Sequence, residues 1–119
     1  FLSIEPMLAI PGLRAAIARC AAPVVAVSPI IGGRAVKGPT AKMMAELGLS
    51  VSASAVARRY RDLLDAYVLD RADAGDLTDT AALGITVSVA HTLMTTLEER
   101  EALARHVLAT ADALTKAAA

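Results

Sequence analysis

The sequence is poor in cysteine and in aromatic residues, and these shortages exclude several kinds of site. Among 119 residues there are one cysteine, no tryptophan, one phenylalanine and two tyrosines. The single cysteine, Cys20, excludes an intramolecular disulfide and any metal site built from several cysteines. A chain without disulfides suits a reducing compartment, so we expect a cytoplasmic protein.

The chain also lacks a net charge and a long apolar run. Twelve basic and twelve acidic residues cancel, whereas nucleic-acid binding rests on a surplus of positive charge, so we expect no nucleic-acid partner. Pro23, Ser28 and Pro29 interrupt the best candidate for a membrane helix, which needs roughly 18 apolar residues. We therefore expect no membrane association. The opening residues lack a basic region, so they do not form a secretory signal.

What the chain does contain is apolar aliphatic sequence. Hydrophobic residues make up 55% of it, above the roughly 45–50% of an ordinary domain, and the surplus is mostly alanine. This composition favours one domain in which helices pack closely against strands. The chain begins at Phe1, inside apolar sequence and without an initiator methionine. We therefore expect residues 1–119 to be the C-terminal part of a larger α/β domain.

Periodicity and breaker residues predict alternating helices and strands. Helices are predicted at 11–21, 40–47, 53–64, 77–83 and 96–115, and strands at 23–28, 66–69 and 85–90. Gly48 and Gly84 are expected to end the helices before them, and Ser52 or Ser54 to cap the helix at 53–64. Short apolar strands separated by helices indicate β-α units, and hence a parallel sheet with helices on both faces.

The loop at 28–39, SPIIGGRAVKGP, is the segment best suited to chemistry. It leaves the end of a predicted strand, where ligands bind in open α/β sheets, and we expect it to lie beside residues 90–92. Its glycines allow positive φ values and close approach of the backbone, while Arg34 and Lys37 supply positive charge. The loop contains neither GxxxxGK[ST] nor GxGxxG. On general grounds such a connection is more often a turn that binds nothing.

The other candidates are better explained without a ligand. His91 is interpreted as a partly buried or surface histidine, and His106 as a solvated one. Asp70, Asp73 and Asp76 lack the closing glutamate of an EF-hand, so we interpret residues 70–79 as a solvated acidic turn. Ser28 lacks the GxSxG context of a nucleophile. Cys20 lies on the apolar face of the helix at 11–21 and is assigned to the core.

The string SPIIGGRAVKGPTAKMMAELGL resembles a segment of the 2-phospho-L-lactate transferase family, the CofD-like proteins. The flanking blocks agree in order over about residues 1–110: LSIEPMLAIPGLRAAI, VARRYRDLLDAYVLDRADA and the TLM of HTLMTTLEER. The resemblance implies a transferase of Rossmann-like α/β fold that acts in coenzyme F420 biosynthesis. Such an enzyme moves a phospholactyl, phosphoenolpyruvyl or similar group from a guanosine diphosphate-linked donor to the 5′-hydroxyl of the deazaflavin Fo, releasing GMP.

The resemblance also assigns roles to residues of the loop. Binding of the donor phosphates is carried over to Ser28, Pro29, Gly32, Gly33, Arg34, Lys37 and Gly38. Lys37 is assigned the catalytic role because it comes immediately before Gly38 and the predicted helix start, where its ammonium and the helix N–H groups can bind one phosphate. Arg34 stands where the family commonly has lysine. His91 stands where an acidic residue often precedes TLM, so no polar role is carried over to His91.

The resemblance places the remaining parts of the site elsewhere. It implies Mg²⁺, and the aspartates that bind this ion in the family are expected upstream of Phe1. The glycine-rich nucleotide loop of the family is expected there too. We therefore expect no metal site in this segment. The segment alone is expected to be inactive. A homodimer is expected from the habit of the family. The alternative is a non-catalytic α/β domain that acts in oligomerisation, with the loop as a structural turn.

Overall fold

The computed structural model describes residues 4–35 and 39–118. Its elements, in chain order, are α1 (Ile4–Leu8), α2 (Leu13–Ala18), β1 (Val25–Val27), β2 (Ile30–Ile31), β3 (Arg34–Ala35), α3 (Thr40–Glu46), α4 (Ala53–Arg59), β4 (Ala66–Asp70), a 3₁₀ helix (Arg71–Asp76), α5 (Leu77–Ala81), β5 (Thr86–Ala90) and α6 (Leu97–Ala118). Among these residues, none of the helices combines the length and the apolar character that crossing a membrane requires.

Strands β1, β4 and β5 form a three-stranded parallel sheet in the order β1-β4-β5. Val25 is aligned with Ala66 across one pair, and Ala66 with Thr86 across the other. All five residues of the central strand β4 are buried. A strand with neighbours on both sides and helices on both faces reads as a continuous apolar run, which is why AYVL predicts a strand correctly.

Helices cover both faces of the sheet. On one face, Tyr67 and Leu69 of β4 pack in a common cluster with Met44 of α3 and the alanines of α4. The small side chains at Ala53 and Ala57, which are fully buried, allow α4 to pack closely against α5 and the 3₁₀ helix. On the other face, α6 packs across β1, β4 and β5 and buries Leu103. The α/β, Rossmann-like fold is therefore confirmed.

The helix at 53–64 begins as predicted but ends early. The hydroxyl of Ser52 accepts a hydrogen bond from the Ala55 N–H at 3.2 Å, which caps the first turn of α4. The helix ends at Arg59, because the chain must then turn to enter β4. The Asp65 carboxylate accepts a hydrogen bond from the Val24 N–H at 2.7 Å and ties this turn to the start of β1.

Two predictions about the first quarter of the chain are wrong. The helix at 11–21 is only six residues long, since Gly12 lies before it with a φ of 84° and Arg19 ends it. Cys20 follows the helix and is exposed, so it does not belong to the core. Helix α1 was not predicted from the sequence. Its Glu5 binds the Arg59 guanidinium and accepts a hydrogen bond from the Tyr60 hydroxyl at 2.8 Å, which anchors α1 to the end of α4.

Candidate functional site

The carboxyl ends of the three parallel strands lie along one edge of the sheet. Ser28 follows β1, Asp70 ends β4, and Thr92 comes two residues after β5. A cleft of about 300 Å³ opens at this edge and is lined by Val27, Ser28, Pro29, Ile31, Thr92, Leu93 and Met94. The prediction that the loop lies beside residues 90–92 is confirmed for the described part of the loop.

That part of the loop is a β-hairpin, which was not predicted from the sequence. Ile30 pairs with Ala35 and Ile31 with Arg34, so the turn consists of Gly32 and Gly33 alone. Both glycines have positive φ, 61° and 74°, as a two-residue type I′ turn requires. The expectation that these glycines provide left-handed backbone is confirmed.

Substitution of Gly33 by alanine is expected to lower the free energy of unfolding by about 1–2 kcal/mol, because an L-residue is disfavoured at positive φ. A Cβ at this position would meet nothing within 4 Å, so the backbone angle alone accounts for the loss. Gly33→Asn should lose less, since asparagine tolerates this conformation. Urea denaturation measures all three proteins.

Gly75 provides the matched control for that comparison. A Cβ there would also meet nothing within 4 Å, and its φ is not positive. Gly75→Ala should therefore unfold at the wild-type urea concentration or slightly above it. Equal losses for the alanine variants of Gly33 and Gly75 would contradict the assigned backbone cost.

Ser28 is buried, and its hydroxyl forms hydrogen bonds within the loop. Its N–H donates to the Val68 carbonyl at 2.9 Å, which continues the pairing of β1 with β4. Its Oγ accepts a hydrogen bond from the Ile30 N–H at 3.1 Å. Pro29, between them, is exposed on the wall of the cleft. Ser28 thus fixes the direction in which the chain leaves the sheet.

The Asp73 carboxylate holds the tip of the hairpin. Its Oδ2 accepts a hydrogen bond from the Gly32 N–H at 3.0 Å, and its Oδ1 accepts one from the Gly33 N–H at 2.9 Å. Asp73 is 9% exposed. The two glycine N–H groups therefore donate to a carboxylate of the protein itself, and binding of substrate by Gly32 and Gly33 stays a prediction.

The Asp70 carboxylate joins the ends of two strands. Its Oδ1 accepts hydrogen bonds from both the N–H and the hydroxyl of Thr92, each at 2.9 Å, and its Oδ2 accepts one from the Ala72 N–H at 2.9 Å. Burial alone would raise the pKa of Asp70, but these hydrogen bonds together hold that pKa below the usual value. Asp70 is an ionised group that fastens β4 to the segment after β5.

The interpretation of residues 70–79 as a solvated acidic turn is wrong. Asp70 and Asp73 are buried, and Asp76 accepts a hydrogen bond from the Ser54 N–H at 3.3 Å. The three carboxylates satisfy backbone donors on three different segments, which explains the residue type at each position. The usable signal in the sequence was an aspartate placed directly after a buried strand, where strand ends leave N–H groups without partners.

His91 is exposed, as predicted, and belongs to a polar cluster at the start of α6. Its Nδ1 lies 3.2 Å from the Arg71 guanidinium, and its Nε2 contacts Glu99. Hydrogen bonds from the Thr95 hydroxyl, and then from His91, lower the pKa of Glu99 to about 2. Glu99 also accepts a hydrogen bond from the Thr96 N–H, while Thr96 Oγ1 accepts one from the Glu99 N–H, both at 3.1 Å. This capping box fixes the start of α6.

The prediction that His106 is solvated is wrong. Its side chain is half-buried, and its Nε2 lies 3.0 Å from the Ser88 hydroxyl on β5. The residue lies on the side of α6 that packs against the sheet, so this hydrogen bond satisfies a polar group between the two layers.

The positive residues of the loop are only partly described. Arg34 is exposed on β3, next to the glycine turn. Lys37 and Gly38 lie outside the described residues. Their roles at the donor phosphates therefore stay predictions from the resemblance.

The described residues do not fit a magnesium site. No group of three or more histidine, cysteine, aspartate or glutamate side chains among them is arranged to hold a metal ion. The two buried carboxylates at the sheet edge, Asp70 and Asp73, use their oxygens to accept hydrogen bonds from N–H and O–H groups. Magnesium stays an expectation from the resemblance, with its ligands outside these residues.

Comparisons with known proteins agree with one another. The family model described as 2-phospho-L-lactate transferase CofD matches residues 1–111. A phosphoenolpyruvate transferase of Streptomyces griseus is 40% identical over 93% of this chain and 35% of its own length. A 2-phospho-L-lactate transferase of Methanosarcina acetivorans is 42% identical over 89% of this chain and 34% of its own length. The chain thus spans about a third of the length of these curated relatives.

Proposed function

Because the chain belongs to the 2-phospho-L-lactate transferase CofD family, we propose that it forms part of a transferase in coenzyme F420 biosynthesis. The donor is a guanosine diphosphate-linked 2-hydroxy acid, or its enol analogue, and the acceptor is the deazaflavin Fo. The 5′-hydroxyl of Fo attacks the phosphorus that carries the acid. The bond from that phosphorus to the GMP oxygen breaks, the hydroxyl proton passes to water, and GMP leaves.

One observation carries this proposal: the glycine turn and Arg34 lie at the carboxyl edge of the sheet, beside an open cleft. This is the edge at which open α/β sheets bind ligands. The donor brings negatively charged phosphates, and charge on the departing GMP oxygen rises as its bond breaks. An exposed guanidinium at that edge is suited to bind such oxygens, because arginine forms paired hydrogen bonds with phosphate.

The role of Lys37 extends that argument along the loop. Lys37 comes three residues after Arg34 and immediately before Gly38. A lysine ammonium acts as a point charge that can follow a phosphate oxygen as its charge increases. We assign transition-state stabilisation to Lys37 and donor binding to Arg34. Magnesium, bound by residues outside those described here, would neutralise charge on the diphosphate.

Assay of the complete gene product tests the proposal. The purified protein is incubated with Fo, magnesium and either the phospholactyl or the phosphoenolpyruvyl guanosine diphosphate donor. We expect equal amounts of GMP and the Fo conjugate, measured by chromatography with mass detection. Absence of conjugate with both donors would overturn the proposed reaction, and formation with one of them identifies the acid. Cytoplasmic localisation is part of the same proposal, since the donor is a nucleotide.

One observation favours the alternative of a non-catalytic domain that acts in oligomerisation. Leu97 and Leu108 on α6 are 62% and 64% exposed, so apolar surface is available for contact with another copy. Sedimentation velocity on the same preparation measures the oligomeric state. A homodimer that forms no Fo conjugate would support the alternative. A homodimer that forms the conjugate would support both the proposed reaction and the homodimer expected from the resemblance.

A further inference from the structure

We propose that Asp73 is a positioning residue of the transferase: its carboxylate holds the Gly32–Gly33 turn so that Arg34 faces the donor phosphates. The proposal rests on the proposed function. It assigns the positioning of the loop to an aspartate that lies outside the loop. It follows from the two hydrogen bonds at 3.0 and 2.9 Å, one from each glycine N–H to each carboxylate oxygen.

Two hydrogen bonds from adjacent N–H groups to the two oxygens of one carboxylate fix orientation as well as position. A single bond would leave the hairpin free to rotate about it. The hairpin has only two residues in each strand, so its own pairing constrains it weakly. The contact with Asp73 thus restrains the turn that Arg34 follows.

The 3₁₀ helix that carries Asp73 is itself held at both ends. At its start, Asp70 accepts a hydrogen bond from the Ala72 N–H and also binds Thr92. At its end, Asp76 accepts a hydrogen bond from the Ser54 N–H on α4. The Asp73 carboxylate is therefore positioned by the central strand and by α4. Its hydrogen bonds to the glycine turn in turn fix the position of the hairpin relative to the sheet.

The geometry also separates two roles that glycines can have in a phosphate-binding loop. Here the N–H groups of Gly32 and Gly33 donate to Asp73, and the contribution that this proposal assigns to the two glycines is the left-handed turn. Positive side chains then provide the attraction for the donor. Any loosening of the turn displaces Arg34 and should affect the donor more than the acceptor.

Asp73→Asn and Asp73→Ala in the complete gene product test this role. Asparagine keeps the shape but replaces one acceptor oxygen with an NH₂ group, so one glycine N–H loses its partner. We expect kcat/KM for the donor to fall about tenfold in Asp73→Asn and about 10²-fold in Asp73→Ala, with the KM for Fo unchanged. Hydrogen exchange in the peptide covering residues 28–35 should be faster in both variants, because their glycine N–H groups are less protected.

Asp79→Asn is the matched control, because this substitution also removes one negative charge and Asp79 is exposed on α5. It should leave both kinetic constants and the exchange rate unchanged. All proteins are assayed below the onset of unfolding, which circular dichroism measures for each.

Two outcomes would overturn the positioning role while wild-type transfer is intact. One is an Asp73→Asn protein with faster exchange but wild-type kcat/KM for the donor. The other is an equal loss for donor and acceptor, which indicates general damage to the fold. A wild-type protein that forms no conjugate would instead overturn the proposed function, and the positioning role with it.

Discussion

Replacement of Lys37 by alanine in the complete gene product is expected to lower kcat about 10²–10³-fold, equivalent to about 3–4 kcal/mol of transition-state stabilisation. In the proposed reaction the phosphate oxygens gain charge as the bond to GMP breaks, so a contact with them would strengthen during the reaction. Loss of such a contact lowers kcat more than it raises the KM for the donor. Steady-state kinetics with varied donor concentration measures both constants.

Two further variants decide whether the effect belongs to Lys37. Arg34→Lys keeps the positive charge on β3 and should retain most of kcat. Lys42→Ala removes an exposed lysine whose side chain is 77% exposed on α3, and it should behave as wild type. Near-normal turnover in Lys37→Ala, or a larger loss in Arg34→Lys, would show that the roles of the two residues are wrongly assigned.

Substitution of Asp70 by alanine is expected to lower the free energy of unfolding by about 3 kcal/mol. The change leaves three donors without their acceptor: the N–H and hydroxyl of Thr92, which are buried, and the Ala72 N–H, which is part-buried. Buried donors without partners cost about 1–3 kcal/mol each, and partial entry of water relieves some of the total. Urea denaturation measures the loss.

Two further variants, Thr92→Val and Asp79→Ala, provide an intermediate and a negligible loss of stability for comparison. Valine keeps the shape of threonine and removes only the hydroxyl donor, so the loss should be about 1 kcal/mol. Asp79 is exposed, and its substitution should change stability by less than about 0.5 kcal/mol. If Asp70→Ala were no more destabilising than Asp79→Ala, Asp70 would not be the fastening described here.

The stability difference between wild type and Asp70→Ala is expected to depend on pH. The pKa of Asp70 is lowered in the folded protein, so its contribution is fully present above the ordinary aspartate pKa of about 4. That contribution is lost as the pH falls through the lowered, folded-state value. The difference in stability between wild type and Asp70→Ala should therefore be constant near neutral pH and shrink below about pH 4.

The sheet could be predicted from the sequence because its signals are local. Each long strand is an apolar run bounded by breakers, and Gly48 and Gly84 mark helix ends, with φ values of 73° and 83°. Ser52 likewise caps α4 as its residue type predicts. These features depend on residues close to one another in sequence, which is why they are legible there.

The interactions that hold the loop could not be predicted, since they join residues about 40 apart in sequence. Nothing in SPIIGGRAVKGP indicates that its glycines donate to Asp73, and the regular spacing of three aspartates indicated only a solvated turn. The two-residue strands of the hairpin are too short to leave a periodic pattern. Which N–H groups lie within hydrogen-bond distance of a buried carboxylate depends on how the strands and helices pack, and a local sequence pattern does not contain that information.

The unequal lengths of the two crossover connections set an order in which the sheet can form. Residues 71–85 connect β4 to β5, whereas residues 28–65 connect β1 to β4. Closing the longer connection costs more chain entropy, so the β4–β5 unit is favoured in the transition state for folding. Destabilising substitutions at Val87 should therefore slow folding, and those at Val25 should mainly speed unfolding, which stopped-flow kinetics distinguishes. The loop that carries Arg34 would then be among the last parts of the protein to acquire its native position.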